Sequence, residues 1–188
     1  VADGLEGGVV QQALQVFPDE QELLWEHEEA ILARSLQQLR QVTELAQRLS
    51  TGETQRELKR SQDDWACRRM DVCGARLARD PSQIHLHVAL AEAMFDAGMY
   101  EGAIEQSEPV LDNDELSSNS FWIRGRCLLA MGKDVEAMAS LRAASLRRSV
   151  SAPLKIRIVA LRLLCETAER MGIPLTLANY RQHLQQAE

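Results

Sequence analysis

Four histidines, four cysteines and a cluster of carboxylates are the side chains best suited to chemistry, and their spacing limits what they can do together. His85 and His87 stand two apart, so on a helix their rings point about 200° away from each other and cannot share a metal as an i, i+4 pair does. His27 is followed by Glu28 and Glu29, but Ile31 fills the place where the zinc-protease pattern H-E-x-x-H needs its second histidine. His183 stands far along the chain from the others. Cys67, Cys73, Cys127 and Cys165 contain no C-x-x-C pair. Cys67 and Cys73 sit on poorly matched faces of one helix, so a disulfide between them needs a break there. Gly4, Gly7 and Gly8 are followed by no G-K-[ST], no nucleophile elbow occurs, and Glu26, Glu28 and Glu29 suit a solvated helix face. The expectation is a non-enzyme with no catalytic residue, no metal and no cofactor.

The elements that carry these residues are helical by composition. Hydrophobic residues make up 45% and charged residues 26% of 188, which suits a globular chain, while aromatics at 4% with ten glycines and five prolines disfavour a turn-rich β sandwich or barrel. A formal charge of −7 argues against a nucleic-acid partner, since such proteins carry a basic footprint. The densest basic patch, Arg147-Arg148 with Lys155 and Arg157, suits a solvated connection between helices. No run of about 18 apolar residues is present, so no membrane insertion is expected. The cysteines do not decide the compartment, the cytoplasm being slightly favoured over the periplasm or secretion. The start at Val1 without Met or a signal-peptide pattern suggests a fragment or a processed product.

From the first residue, Val9, Val10, Ala13 and Leu14 form a helical stripe ended by Phe17-Pro18. Leu23, Leu24, Ile31, Leu32, Leu36, Leu39, Val42, Leu45, Ala46 and Leu49 then continue to Ser50-Thr51-Gly52. This run reads as one long helix folded back on its neighbour, in preference to two helices broken near Ser35. A further helical stretch from Gly52 passes Leu58, Trp65, Met70, Cys73 and Leu77 to Arg79, with Asp63-Asp64 as a candidate cap for a fresh start and Asp80-Pro81 as its stop.

Beyond Pro81 the chain repeats itself. Leu90-Ala91-x-x-Met94-Phe95-x-x-Gly98-x-x-x-x-Ala103 is echoed 34 residues later by Arg124-Gly125-x-x-Leu128-Leu129-x-x-Gly132-x-x-x-x-Ala137. The spacing predicts helices over 84–97, 100–111, 118–131 and 134–147, with turns at Gly98-Met99 and Gly132-Lys133. A third unit uses Pro153 to Met171, Gly172, and Pro174 to Gln186, its glycine lying 40 residues after Gly132. Small residues at Ala91, Gly125, Ala103 and Ala137 allow close helix approach, and the glycines suit left-handed helix ends.

This pattern resembles the tetratricopeptide repeat family, clearly over residues 81–147 and more loosely over 153–186. Arg124, Asp134 and Ser107 depart from the family's usual choices. The resemblance implies an all-α, right-handed superhelical solenoid of about eight or nine antiparallel helices. Its single domain would comprise an irregular helical part at 1–80, two clear repeats at 81–148 and a third, capping repeat at 149–188. It also implies a non-catalytic scaffold that binds a partner protein or peptide in a concave groove.

Carried over by position, the groove-facing residues are His85, Val88, Glu92 and Asp96 in one unit and Asn119, Trp122 and Arg126 in the next. Phe95 and Leu129 also face that way and are expected to serve the core. Substituting Trp122 and Arg126 is expected to weaken partner capture without unfolding the chain. Val88 and Glu92 stand where chaperone-tail binders carry a lysine and asparagine clamp, so that specialisation is not expected. The alternative is a helical module, either a homo-oligomer joined through Leu23–Leu49 or a regulatory part of a larger enzyme or membrane-associated protein.

Overall fold

Glycine, proline and short polar side chains set where the helices stop, and nine α-helices result among the residues described, 3–147 and 152–188, in this computed structural model. No strand occurs among them. The chain divides into two compact units, Val1–Val72 and Cys73–Glu188. None of the helices among the described residues is long and apolar enough to cross a membrane.

In the first unit, α1 (Asp3–Val16) ends before Pro18, and α2 (Gln21–Leu49) runs 29 residues without a break at Ser35. Ser50 takes a left-handed conformation (φ 47°), and its N–H bonds back to the carbonyl of Ala46. The chain then reverses through a reciprocal cap: the Thr54 N–H donates to Thr51 Oγ1 and the Thr51 N–H donates to Thr54 Oγ1, at 3.2 and 3.0 Å. Both donors would otherwise be orphaned at the start of α3 (Gly52–Arg79).

Helices α2 and α3 lie against each other as a hairpin, for Ser35 Oγ donates to Asp64 Oδ2 at 2.7 Å from 29 positions away. Small residues take several of the buried positions, Ser35 and Ala46 on α2 and Ser61 and Ala66 on α3, but Val72 is buried too, and Glu28, expected on a solvated face, is only 7% exposed. Asp63-Asp64 does not begin a new helix: α3 continues through it. Asp64 turns sideways to Ser35 and to Arg68 instead, and Asp63 pairs with Lys59 one turn back. The stop at Asp80-Pro81 is as expected. Asp80 accepts hydrogen bonds from Ser82 and Gln83, which hold its carboxyl below the usual carboxylate range.

The second unit is a series of hairpins: α4 (His85–Asp96) with α5 (Tyr100–Ser107), α6 (Ser117–Ala130) with α7 (Asp134–Leu146), and α8 (Leu154–Arg170) with α9 (Pro174–Ala187). Each turn has the same construction. Gly98, Gly132 and Gly172 have φ of 78°, 74° and 67°, a region open to glycine at little steric cost. The residue after each donates its N–H five positions back, Met99 to Met94, Lys133 to Leu128 and Ile173 to Ala168, while each glycine donates three back. This paired closure satisfies carbonyls left open at a helix end.

The hairpins differ in ways their residues explain. The stretch expected as a helix over 100–111 is α-helical only to Ser107 and passes into a 3-10 turn, Glu108–Val110, because Pro109 has no N–H to donate and its ring disturbs the preceding turn. Asp134, standing where the preceding hairpin has Tyr100, forms a forked ion pair with Arg170, at 2.6 and 3.3 Å, linking the start of α7 to the end of α8. Helix α8 has 17 residues against 14 in α6, which accounts for part of the longer glycine spacing. Of the connection between the second and third repeats, residues 148–151, which include Arg148 of the basic patch, lie outside the described residues.

Consecutive helices from α4 to α9 pack on each other, and α4 also meets α6 and α6 meets α8. Val88, Ala91, Ala103, Val110, Ile123 and Cys127 form one buried cluster; Leu141, Leu161, Leu164 and Tyr180 anchor a second. Gly125 permits the approach of α6 and α7, since a methyl group there would lie 2.7 Å from Leu141 Cγ and Cδ2.

Candidate functional site: the face shared by α4 and α6

Trp122 and Arg126 are one helical turn apart on α6 and share a face. Arg126 places its guanidinium 3.8 Å from the centre of the Phe95 ring on α4 and 5.5 Å from that of Trp122. Phe95 in turn packs at a tilt against Tyr100, with ring centres 5.6 Å apart. A guanidinium over an aromatic face is attracted by the ring quadrupole and loses less hydration than an ammonium would. Arg126, Phe95 and Trp122 are all half-buried. The charge is therefore held on a side chain with restricted freedom, and its in-plane N–H groups are the part suited to a carboxylate.

The other expected groove residues are dispersed around this stack. Val88 is 8% exposed and belongs to the buried cluster of α4, α5 and α6, so it supports the wall from behind rather than lining it. Its β-branched apolar side chain is typical of such a place. His85 and Asp96 are exposed at opposite ends of α4, and Glu92 between them is half-buried. Asn119 is half-buried, with an Oδ1 that is buried and has no protein partner. Leu129 packs against the second cluster and Phe95 against the first, in line with their expected service to the core.

Trp122 packs against both clusters. That changes the expectation that it can be removed cleanly: its ring closes the seam between two cores as well as flanking Arg126. His87, weighed from its spacing only as a metal ligand, instead has its Nδ1 3.1 Å from Gln106 Oε1 and so ties α4 to α5. A helical i, i+4 Trp-Arg pair could be read from the sequence. The Phe95 contact depended on two hairpins stacking in register.

The four cysteines are free thiols. Burial pushes the Cys127 thiol up to about 11 and raises that of Cys165, which keeps both protonated near neutrality. Cys67, by contrast, is exposed. Under limited iodoacetamide at pH 8, peptide mass spectrometry should find Cys67 modified first and Cys127 last, because the thiolate is the nucleophile. Equal rates at the two would contradict the described burial. No group of three or more metal-ligating side chains is gathered among the described residues. In the expected basic patch, Arg147 lies over Phe121 at 5.5 Å and is engaged with the protein's own surface.

The fold and this face together define an all-α protein built from helical hairpins. Neither the models of known protein families nor the curated proteins match the chain.

Proposed function

We propose that Cys73–Glu188 is a tetratricopeptide-like, right-handed superhelical solenoid that serves as a non-catalytic scaffold for a partner protein or peptide. The three turns of identical construction support the repeat reading, as do the contacts of α4 with α6 and of α6 with α8. In a tetratricopeptide arrangement those first helices line the concave wall. The observation that carries the binding role is Arg126, held against Phe95 and Trp122 on the first helices of two successive hairpins.

Such a stack orients a guanidinium for forked hydrogen bonding to a carboxylate, while the neighbouring rings offer apolar surface. The favoured ligand is a peptide segment carrying an acidic residue beside a large apolar one. It is not a chaperone tail, because the lysine and asparagine clamp positions hold Val88 and Glu92.

A displayed peptide library selected on the full chain should enrich acidic-apolar pairs. For a selected peptide, Arg126→Ala should weaken binding about tenfold, equivalent to the loss of one charge-assisted contact. Arg126→Lys should restore only part of it, since an ammonium lacks the planar fork. Unchanged affinity in Arg126→Ala would remove the groove from consideration.

A further inference from the structure

A cleft lies in the first unit, between α2 and α3. A cavity of about 420 Å³ is lined by Ile31, Arg34, Ser35 and Gln38 from α2 and by Glu57, Arg60, Ser61, Asp64 and Arg68 from α3. On each helix these residues recur at spacings of three or four, so each set forms one continuous face. The volume suits a small molecule, since ligand pockets typically measure about 300–1,000 Å³.

The charges are unequal: three guanidiniums face two carboxylates. Asp64 is already engaged, accepting from Ser35 at 2.7 Å and pairing with Arg68 at 3.4 Å. Glu57 lies 3.6 Å from Arg60. Arg34 has no carboxylate within ion-pair distance among the described residues. The cavity thus keeps a positive excess in a chain whose formal charge is −7.

The independent observation is Ser61. It is only 4% exposed, it lines the cavity, and its Oγ is buried just beneath the cavity surface with no hydrogen-bond partner. A buried hydroxyl left unpaired is unfavourable, and buried polar atoms are ordinarily satisfied. A hydroxyl donor beside arginines is the arrangement that an oxyanion completes.

The geometry points to a phosphate-binding pocket between α2 and α3, in which Arg34 supplies the unpaired charge, Arg60 adds a guanidinium it shares with Glu57, and Ser61 donates once its side chain turns from just beneath the floor toward the ligand. Arginine is suited to phosphate because its planar fork matches two oxygens at once. Arg68 is held by Asp64 and fixes the rim. The phosphate is either the free ion or the monoester of a small molecule, with Gln38 available to the remainder of the latter.

The test is calorimetric titration of the full chain with inorganic phosphate and, separately, with glycerol 3-phosphate, against sodium chloride at matched ionic strength. Saturable binding of at least one phosphate, absent with chloride, is the expected result. Tighter binding of glycerol 3-phosphate supports the monoester source, and equal or weaker binding supports the free ion. Arg34→Ala and Ser61→Ala should each weaken binding about tenfold, while Arg124→Ala, in the other unit, should leave it unchanged. Ser61→Ala removes no recorded hydrogen bond and Arg34 is exposed, so both variants should fold, as circular dichroism would verify. Binding that does not saturate, that chloride reproduces, or that survives both substitutions overturns the assignment.

Discussion

Gly125→Val should destabilise the second unit by about 3 kcal/mol, and Gly125→Ala by about half as much, in urea unfolding followed by circular dichroism. Alanine is intrinsically the better helix former by roughly 1 kcal/mol, so a loss of stability on adding one methyl group would be steric in origin. The reason is local. A Cβ at this position meets Leu141 at its branch point, and Leu141 is itself 0% exposed, with other core side chains behind it. Leu141→Ala alone should cost about 2–5 kcal/mol by opening a cavity. The double variant Gly125→Ala with Leu141→Ala should be more stable than the sum of the two changes implies, by about 1 kcal/mol, because the new methyl group occupies space the leucine vacated. Strict additivity would mean that α6 and α7 do not approach as closely as described.

Trp122→Ala should cost about 2–3 kcal/mol, toward or below the lower end for removal of a core aromatic because the ring is only half-buried. Its position against both buried clusters means that truncation opens the boundary of each. Trp122→Phe should recover most of the loss. Arg126→Ala, in contrast, should change stability by about 1 kcal/mol or less, the scale of a partly exposed cation-aromatic contact. Chemical denaturation of the three variants distinguishes the roles. If Trp122→Ala were as mild as Arg126→Ala, the ring would be a surface feature free to serve a ligand. The expected difference makes Arg126 the cleaner probe of binding and explains why loss of capture in a Trp122 variant alone would be ambiguous.

The turns were legible in the sequence because they place a chemical demand on one residue. Gly98, Gly132 and Gly172 occupy conformations that side chains rarely adopt, so each glycine marks a helix end wherever its surroundings lie. The continuous α2 was legible for a related reason: no glycine or proline interrupts Gln21–Leu49. Asp63-Asp64 misled because aspartate can cap a helix end or accept a bond from a neighbouring helix, and only the presence of Ser35 decides between them. Pro109 should have shortened α5 on sight, but the parallel with the uninterrupted α7 concealed it.

The candidate sites were less legible, because they are made between elements. Position within the repeat brought Trp122 and Arg126 to one face but also placed Val88 there, and the packing of α4 on α6 turns Val88 inward. Ser35, Ser61 and the three arginines of the α2–α3 cavity look individually like ordinary polar surface residues. Their meaning comes from a helix reversal that joins residues 29 positions apart.

Packing within Cys73–Glu188 has a further consequence for synthesis. Among its described residues, α4 to α9 meet only helices one or two places along the chain. Loop closure between distant segments, which slows folding in other architectures, is therefore small here. The first hairpin can form before the last has been made, and each later one finds its docking surface already in place. Order of translation and order of assembly coincide, so a growing chain need not hold its apolar faces exposed until the final residue has been added.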